Sequence, residues 1–426
     1  MADGAPTSKT ATKTANKTPA KTSTKIRAPK IDLRDPEVRR VRLAELRNQK
    51  MARSAHAFVR GSTDKFYEWL DSSEGQKVPE GPPVWICGDC HSGNLGPIAN
   101  AKGRVAIQIR DLDQTVIGNP AHDLIRLALS LASAARGSDL PGVMTARMVE
   151  QLIDGYEAAF TDEAADSDVN PPPSVREALR SAMSRKWRHL AEERFNDRRA
   201  MLPLGRRFWP LAKTEWAEIE ALFADEKVRR LVTSLKSRDD NANVELIDAA
   251  YWVKGCSSLG LLRYAVLLRV GAKGGDYCLI DIKEARKAVA PRYPQSKMPR
   301  ANAERVVEGA WHLSPNLGDR MLAASIGGKS VFVRELLPQD LKLELAHLDG
   351  DEATIAARYL AHVVGRAHAR QMSTEERASW RSILAANRSG KLEAPSWLWT
   401  SVVELMANHE AAYLEHCRRY ALQPPT

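Results

Sequence analysis

The sequence predicts an α/β protein, α+β in the looser sense, with a mostly helical large lobe and a small antiparallel-sheet lobe. Three observations carry this. Short apolar runs at residues 84–87 and 105–109 break into polar loops, as buried strands do. Residues 121–135 repeat Leu124, Leu127, Ala128 and Leu131 at helical spacing, and similar patterns fill much of the chain. Residues 262–270 and 277–283, joined by the glycine-rich link 271–276, read as a β-hairpin.

The 426 residues suffice for two lobes with extensions, and 43% hydrophobic with 27% charged residues is an ordinary globular balance. No apolar run approaches a membrane span, and the first residues lack the apolar core of an export signal. A cytoplasmic location is therefore expected, with Cys87, Cys90, Cys256, Cys278 and Cys417 as reduced thiols. The net charge of +10 is uneven: residues 1–30 hold six Lys and one Arg against one Asp, so +6 lies in the tail. With Lys9, Lys13, Lys17, Lys21 and Lys25 at every fourth position, this segment reads as a disordered, Lys/Thr-rich tail. It lacks an aromatic residue to stack bases, so any nucleic-acid contact is expected to be weak and non-specific.

Taken in order, Asp35-Pro36-Glu37 starts a helix that runs to about Ser54, and residues 56–62 read as a strand-like piece. The expected organisation is a helical extension over 31–84 and a segment of the large lobe over 85–245. A small lobe follows over 246–345, and C-terminal helices over 346–426. Residues 183–240, rich in Arg, Lys, Glu and Trp, read as solvated helical faces. Within the small lobe come the turn Gly255 to Gly260, the hairpin, a helix over 301–312 and a strand over 330–336. Helices over 353–371, 374–386 and 397–420 close the chain.

The chemistry concentrates between residues 85 and 123. Asp89 and Asn94 lie five residues apart in a loop that follows the first apolar run, and Asp111 and Asp113 end the second. A carboxylate at the loop start can orient a hydroxyl and accept its proton. An amide oxygen and further carboxylates are hard donors suited to Mg²⁺. Cys87 and Cys90 form a CxxC pair, but zinc is not expected without a second pair.

Gly88-Asp89-X-His91-X-X-Asn94 resembles the catalytic loop of aminoglycoside phosphotransferases and choline kinases, within the protein-kinase-like superfamily. Asp111-Leu112-Asp113 resembles their metal-binding segment, and 118–123 the following turn, whose Asp123 would steady the loop. From about 35 to 422 the chain more closely resembles the bacterial family known as domain of unknown function 2252. HAFVRG, GDCHSGNLG, DLDQT, HDLIRLALS, IDIKEA, RVVEG, VRELLPQDLK and GRAHARQM carry that likeness.

The kinase resemblance implies ATP and Mg²⁺ as cofactors and phosphoryl transfer to a hydroxyl, more readily on a small molecule than on a protein. Asp89 would be the base, with His91 mainly holding the loop. Asn94, Asp111 and, in lower rank, Asp113 would hold metal. Gly255 and Gly260 would bracket a turn over the phosphates, and Lys283 would grip them. Glu308, with Glu304 in reserve, would position Lys283. Glu335, on the strand in the hinge position, is counted with the nucleotide-binding residues. His368 would come near the catalytic loop. Arg60 and Lys50 either touch phosphate or substrate, or pack the extension. Because loop and metal ligands precede the glycine turn and Lys283, the fold is expected to be circularly permuted, with Lys283 and Asp111 facing one cleft. AMP transfer and a catalytically idle nucleotide-binding scaffold are the alternatives.

Overall fold

The computed structural model describes residues 32–138, 140–161, 170–186, 201–235, 238–256, 258–271, 276–341, 350–386, 388 and 394–420. The tail 1–30, Ser257 and the hairpin link 272–275 lie outside the described residues, as do 187–200 and 236–237 of the Arg/Lys-rich stretch. Residues from Leu33 onward form one compact unit.

Helix α1 (Pro36–Met51) starts where the Asp-Pro pair demands, with the Asp35 carboxylate accepting the Glu37 N–H at 2.8 Å. The next segment departs from the expectation. Residues 56–62 are not a strand but most of helix α2 (Ala55–Gly61), followed by α3 (Thr63–Leu70). Seven residues with Phe58 and Val59 at their centre carry too short a pattern to separate the two periods. The Ser54 hydroxyl, accepting from Ala57 N–H at 3.1 Å, caps the helix.

Strand β1 (Val84–Ile86) then enters the core. Strands β2 (Leu95–Ala99) and β3 (Val105–Ile109) form a hairpin, and β4 (Val116–Gly118) returns antiparallel to β1. Helix α4 (Pro120–Gly137) is buried almost all round. It packs with α5 (Gly142–Ala158), and α6 (Pro173–Ser184) follows.

The main sheet has six strands: β5 (Phe208–Trp209), β6 (Val244–Trp252), β7 (Arg263–Val270), β8 (Asp276–Glu284), β9 (Met321–Ile326) and β10 (Lys329–Leu336). All neighbours are antiparallel, in the order β5-β6-β7-β8-β10-β9. Helices α7 (Lys213–Ala224) and α8 (Glu226–Thr233) connect β5 to β6; α9 (Asn302–Leu313) and the single turn α10 (Pro315–Gly318) connect β8 to β9. The C-terminal helices are α11 (Gly350–Ala369), α12 (Thr374–Ala385) and α13 (Ser396–Tyr420). Among the described residues, no helix is long and apolar enough to cross a membrane.

Side-chain alternation gives the sheet two different faces. Ile280, Ile282, Val331 and Val333 bury one face in a core with Ile219, Phe223, Val228 and Val232 of α7 and α8. Each such side chain contributes about 1.5–3 kcal/mol. The other face carries Arg263, Asp281, Lys283 and Arg334, with Arg263 bidentate on Asp281 at 2.8 and 2.5 Å. A second core gathers Leu124, Leu127, Leu131, Leu152, Tyr156, Leu360 and Val364 of α4, α5 and α11.

Candidate active site

The loop after β1 is built backward from α4. The Asp123 carboxylate, in the first turn of that helix, accepts the Cys87 N–H at 2.6 Å and the Gly88 N–H at 2.9 Å. His368 of α11 lies 3.2 Å from the same carboxylate through Nε2, and its Nδ1 lies 2.7 Å from Tyr156 Oη. Gly88 holds φ at 74°, and a Cβ there would come within 2.2 Å of the Gln114 carbonyl oxygen. Asp123 therefore steadies the loop as expected, and His368 supports Asp123 from behind.

Asp89 emerges from this turn almost fully buried. The Arg126 guanidinium, itself fully buried, donates from Nε to Asp89 Oδ1 at 3.0 Å and from Nη2 to the Val59 carbonyl at 2.6 Å. Burial pushes the Asp89 carboxyl up, and the Arg126 charge opposes that rise. Asn94 commits Nδ2 to the carbonyls of Asp89 (3.2 Å) and Asp111 (3.0 Å), which turns its Oδ1 away from them. His91 is buried; burial, then Arg60 and Arg126, hold its imidazole well below the usual range, so it is neutral. That suits a loop-holding part rather than proton shuttling.

The second half of the site arrives on β8. Lys283 Nζ donates to both Asp111 oxygens at 3.0 Å and also pairs with Asp113. Thus residues 172 positions apart meet at one point. Asp111 lies under many protein atoms yet keeps 42% of its side chain open to the cleft. Burial raises its carboxyl, but Lys283 and Arg334 outweigh burial and hold it well below the carboxylate range. Asp113 goes the other way: burial and the Asp111 charge push it up to about 7 despite Lys283.

Asp89, Asn94, Asp111 and Asp113 line one cleft with Gln114, Ser258, Leu261, Glu284 and Arg286, a cavity of about 60 Å³. Ser258 belongs to the turn bracketed by Gly255 and Gly260, whose φ values of 104° and 102° suit glycine. The turn lies at the cleft wall, where phosphate contacts were expected.

Three expected residues do not join the site. Glu308 does not position Lys283: it is 53% exposed and pairs at 3.8 Å with His312. Glu304 is exposed as well. The two do share a helix face, but the buried stripe of α9 is Ala303, Val306, Ala310 and Leu313, so theirs is the solvent face. Arg305 takes the inward position, donating to the carbonyls of Thr115, Asp113 (3.0 Å) and Arg286 (2.8 Å). Glu335 is likewise no cleft residue. Alternation puts it on the sheet face opposite Arg334 and Lys283, where Arg238 clamps both of its oxygens at 2.7 Å.

Arg126, Glu284 and Arg286 were not anticipated. A signal for Arg126 existed: an arginine inside the apolar run Leu124-Ile125-Arg126-Leu127 must find a buried acceptor. Glu284 accepts the Leu262 N–H at 2.9 Å and the Arg286 Nε–H at 2.8 Å, tying the turn to β8.

Among the described residues, no group of three or more His, Cys, Asp or Glu side chains is placed to hold a metal ion. Mg²⁺ ordinarily takes only one or two protein carboxylates, the rest being water and phosphate. The paired Asp111 and Asp113 with the Asn94 amide meet that demand, and the buried Oδ1 of Asp113 has no hydrogen-bond partner. No curated protein and no solved structure matches the chain. Over residues 39–419 the chain matches the family described as "Uncharacterized protein conserved in bacteria (DUF2252)", and it belongs to that family.

Proposed function

We propose that this chain is an ATP- and Mg²⁺-dependent phosphotransferase of kinase-like, circularly permuted architecture, acting on a hydroxyl of a small molecule. The observation that carries the reading is Lys283 reaching Asp111 at 3.0 Å in the cleft that Asp89 and Asn94 line. A base, hard oxygen donors and a buried cation in one cleft are the parts that phosphoryl transfer requires.

In this reading Asp89 accepts the proton of the acceptor hydroxyl. Arg126 fixes the carboxylate through Oδ1. Asn94, Asp111 and Asp113 would hold Mg²⁺, which supplies neutralisation of phosphate charge. Lys283, with its stem fully buried, presents its ammonium to the phosphates. The turn at Gly255–Gly260 closes the phosphate side.

The test is thermal stabilisation by ATP with and without Mg²⁺, on the native chain and on Asp111→Ala. A hundredfold excess of ATP over its dissociation constant stabilises by about 2.7 kcal/mol. The native chain should show that shift only with Mg²⁺, and Asp111→Ala should lose it. No shift at saturating ATP refutes the reading. Mass analysis of labelled products then separates phosphoryl from AMP transfer.

A further inference from the structure

The extension before β1 brings a second set of cationic groups to the same loop. Arg60, at the end of α2, lies flat against Gly93 between Asp89 and Asn94. A Cβ at Gly93 would come within 2.7 Å of the Arg60 guanidinium carbon. Lys50, at the end of α1, donates to the Gly255 carbonyl and so reaches the glycine turn. His56 lies between them in sequence on α2.

Four nitrogens in this neighbourhood are buried without a hydrogen-bond partner: Arg60 Nε, His56 Nδ1, His91 Nδ1 and Arg126 Nη1. Their charges act on one another. His56 is lowered to about 4 by burial and then by Arg60 and Arg126, and His91 responds to both arginines. Burial lowers Lys50 most, the neighbouring Cys256 opposes that, and Arg60 lowers it further. Among the described residues no carboxylate pairs with Lys50 or Arg60; Asp89 is already engaged by Arg126. The buried guanidinium N–H groups at Arg60 Nε and Arg126 Nη1 lack an acceptor, and an anion would supply one.

We propose that Arg60, with Lys50 and His56, forms an anion site beside Asp89 that binds a phosphate or carboxylate group of the acceptor. Its assignment to the acceptor rests on the phosphotransferase reading; the anion site itself does not. Lys50 and Arg60 come from α1 and α2, whereas the cation and carboxylates assigned to the nucleotide come from β8 and the loop after β3. The acceptor is then a small hydroxyl compound that carries its own negative charge.

The experiment titrates inorganic phosphate, and in parallel acetate, into the full chain by calorimetry without nucleotide or Mg²⁺. Phosphate should bind the native chain and Lys283→Met alike. Arg60→Gln should weaken it at least tenfold, and Arg60→Lys should recover part of that loss. Tighter binding of phosphate than acetate marks a phosphate ester, and the reverse a carboxylate. Absence of phosphate and acetate binding, or equal binding by Arg60→Gln, overturns the site. If Arg60→Gln does not fold, Lys50→Gln and Arg60→Lys carry the same comparison. ATP with Mg²⁺ should still stabilise Arg60→Gln fully. Loss of that shift would give Arg60 to the nucleotide and overturn the acceptor assignment. No ATP shift in the native chain, with phosphate still bound through Arg60, refutes the phosphotransferase reading and leaves the anion site standing.

Discussion

Replacing Lys283 by Met keeps the buried stem and removes the ammonium that holds two carboxylates together. Nζ lies 3.0 Å from both Asp111 oxygens and pairs with Asp113 as well. At an effective dielectric near 20, one such contact is worth about 5 kcal/mol. The Asp111 share must be cut to roughly half, because 42% of that side chain meets solvent. The loss is also capped, since Asp113, already pushed up to about 7, can take up a proton. The net expectation is a loss of about 2–3 kcal/mol at pH 8 and clearly less at pH 6. Thermal melts at both pH values measure it. The same melts with Mg²⁺ should show a larger rise for Lys283→Met than for the native chain, because its two carboxylates lack an internal cation. A variant as stable as the native chain at pH 8, with no added response to Mg²⁺, would refute the charge account of this cleft.

Asp113→Asn removes a carboxyl whose folded-state value is raised, so its stabilising protonated form is fully present below about pH 4 and lost as pH rises through about 7. The Asn variant should therefore gain on the native chain in melting temperature from pH 5 to pH 8; a flat difference speaks against the shift. Gly88→Ala meets both a positive φ and the Gln114 carbonyl, and should cost about 3 kcal/mol or more in denaturant unfolding. Glu308→Ala should change stability by no more than about 0.5 kcal/mol and leave ATP binding unchanged, while Arg305→Met should cost about 2–4 kcal/mol. Equal costs for these two would mean the helix face has been misjudged.

Most elements were legible because their patterns are long: α4, α9, α13 and the strands β7, β8 and β10 lie within a few residues of the expected bounds. What went unread was mostly short, the nine-residue β6, broken by a register shift between Leu246 and Asp248, being the exception. Helix α2 spans seven residues, and strands β2 and β4 span five and three, too few for a period to declare itself. At the site, Asp89, Asn94, Asp111 and Lys283 were legible because each sits at the end of a strand or in the loop beside it, although those strands belong to three separate sheets. The meeting of Lys283 with Asp111 was expected from the kinase resemblance with its elements in rotated order, not from any local pattern.

The misassigned glutamates show where the same resemblance fails. Choosing Glu308 for Lys283 relied on a kinase template, in which a helix carboxylate holds the lysine. The apolar stripe Ala303, Val306, Ala310 and Leu313 already excluded it, since residues 304 and 308 fall on the far side. Here the work of holding Lys283 passes to Asp111 and Asp113, and α9 contributes Arg305, pinned to the carbonyls of Asp113 and Thr115. That exchange has a chemical consequence. Two carboxylates sharing one ammonium leave one net negative charge in the empty cleft, which a proton on Asp113 cancels. On the proposed reading, Lys283 can turn from Asp113 to a phosphate only after another cation has neutralised that carboxylate. Tight ATP binding would thus require Mg²⁺ in this chain for a reason beyond phosphate charge: the lysine has to be released first.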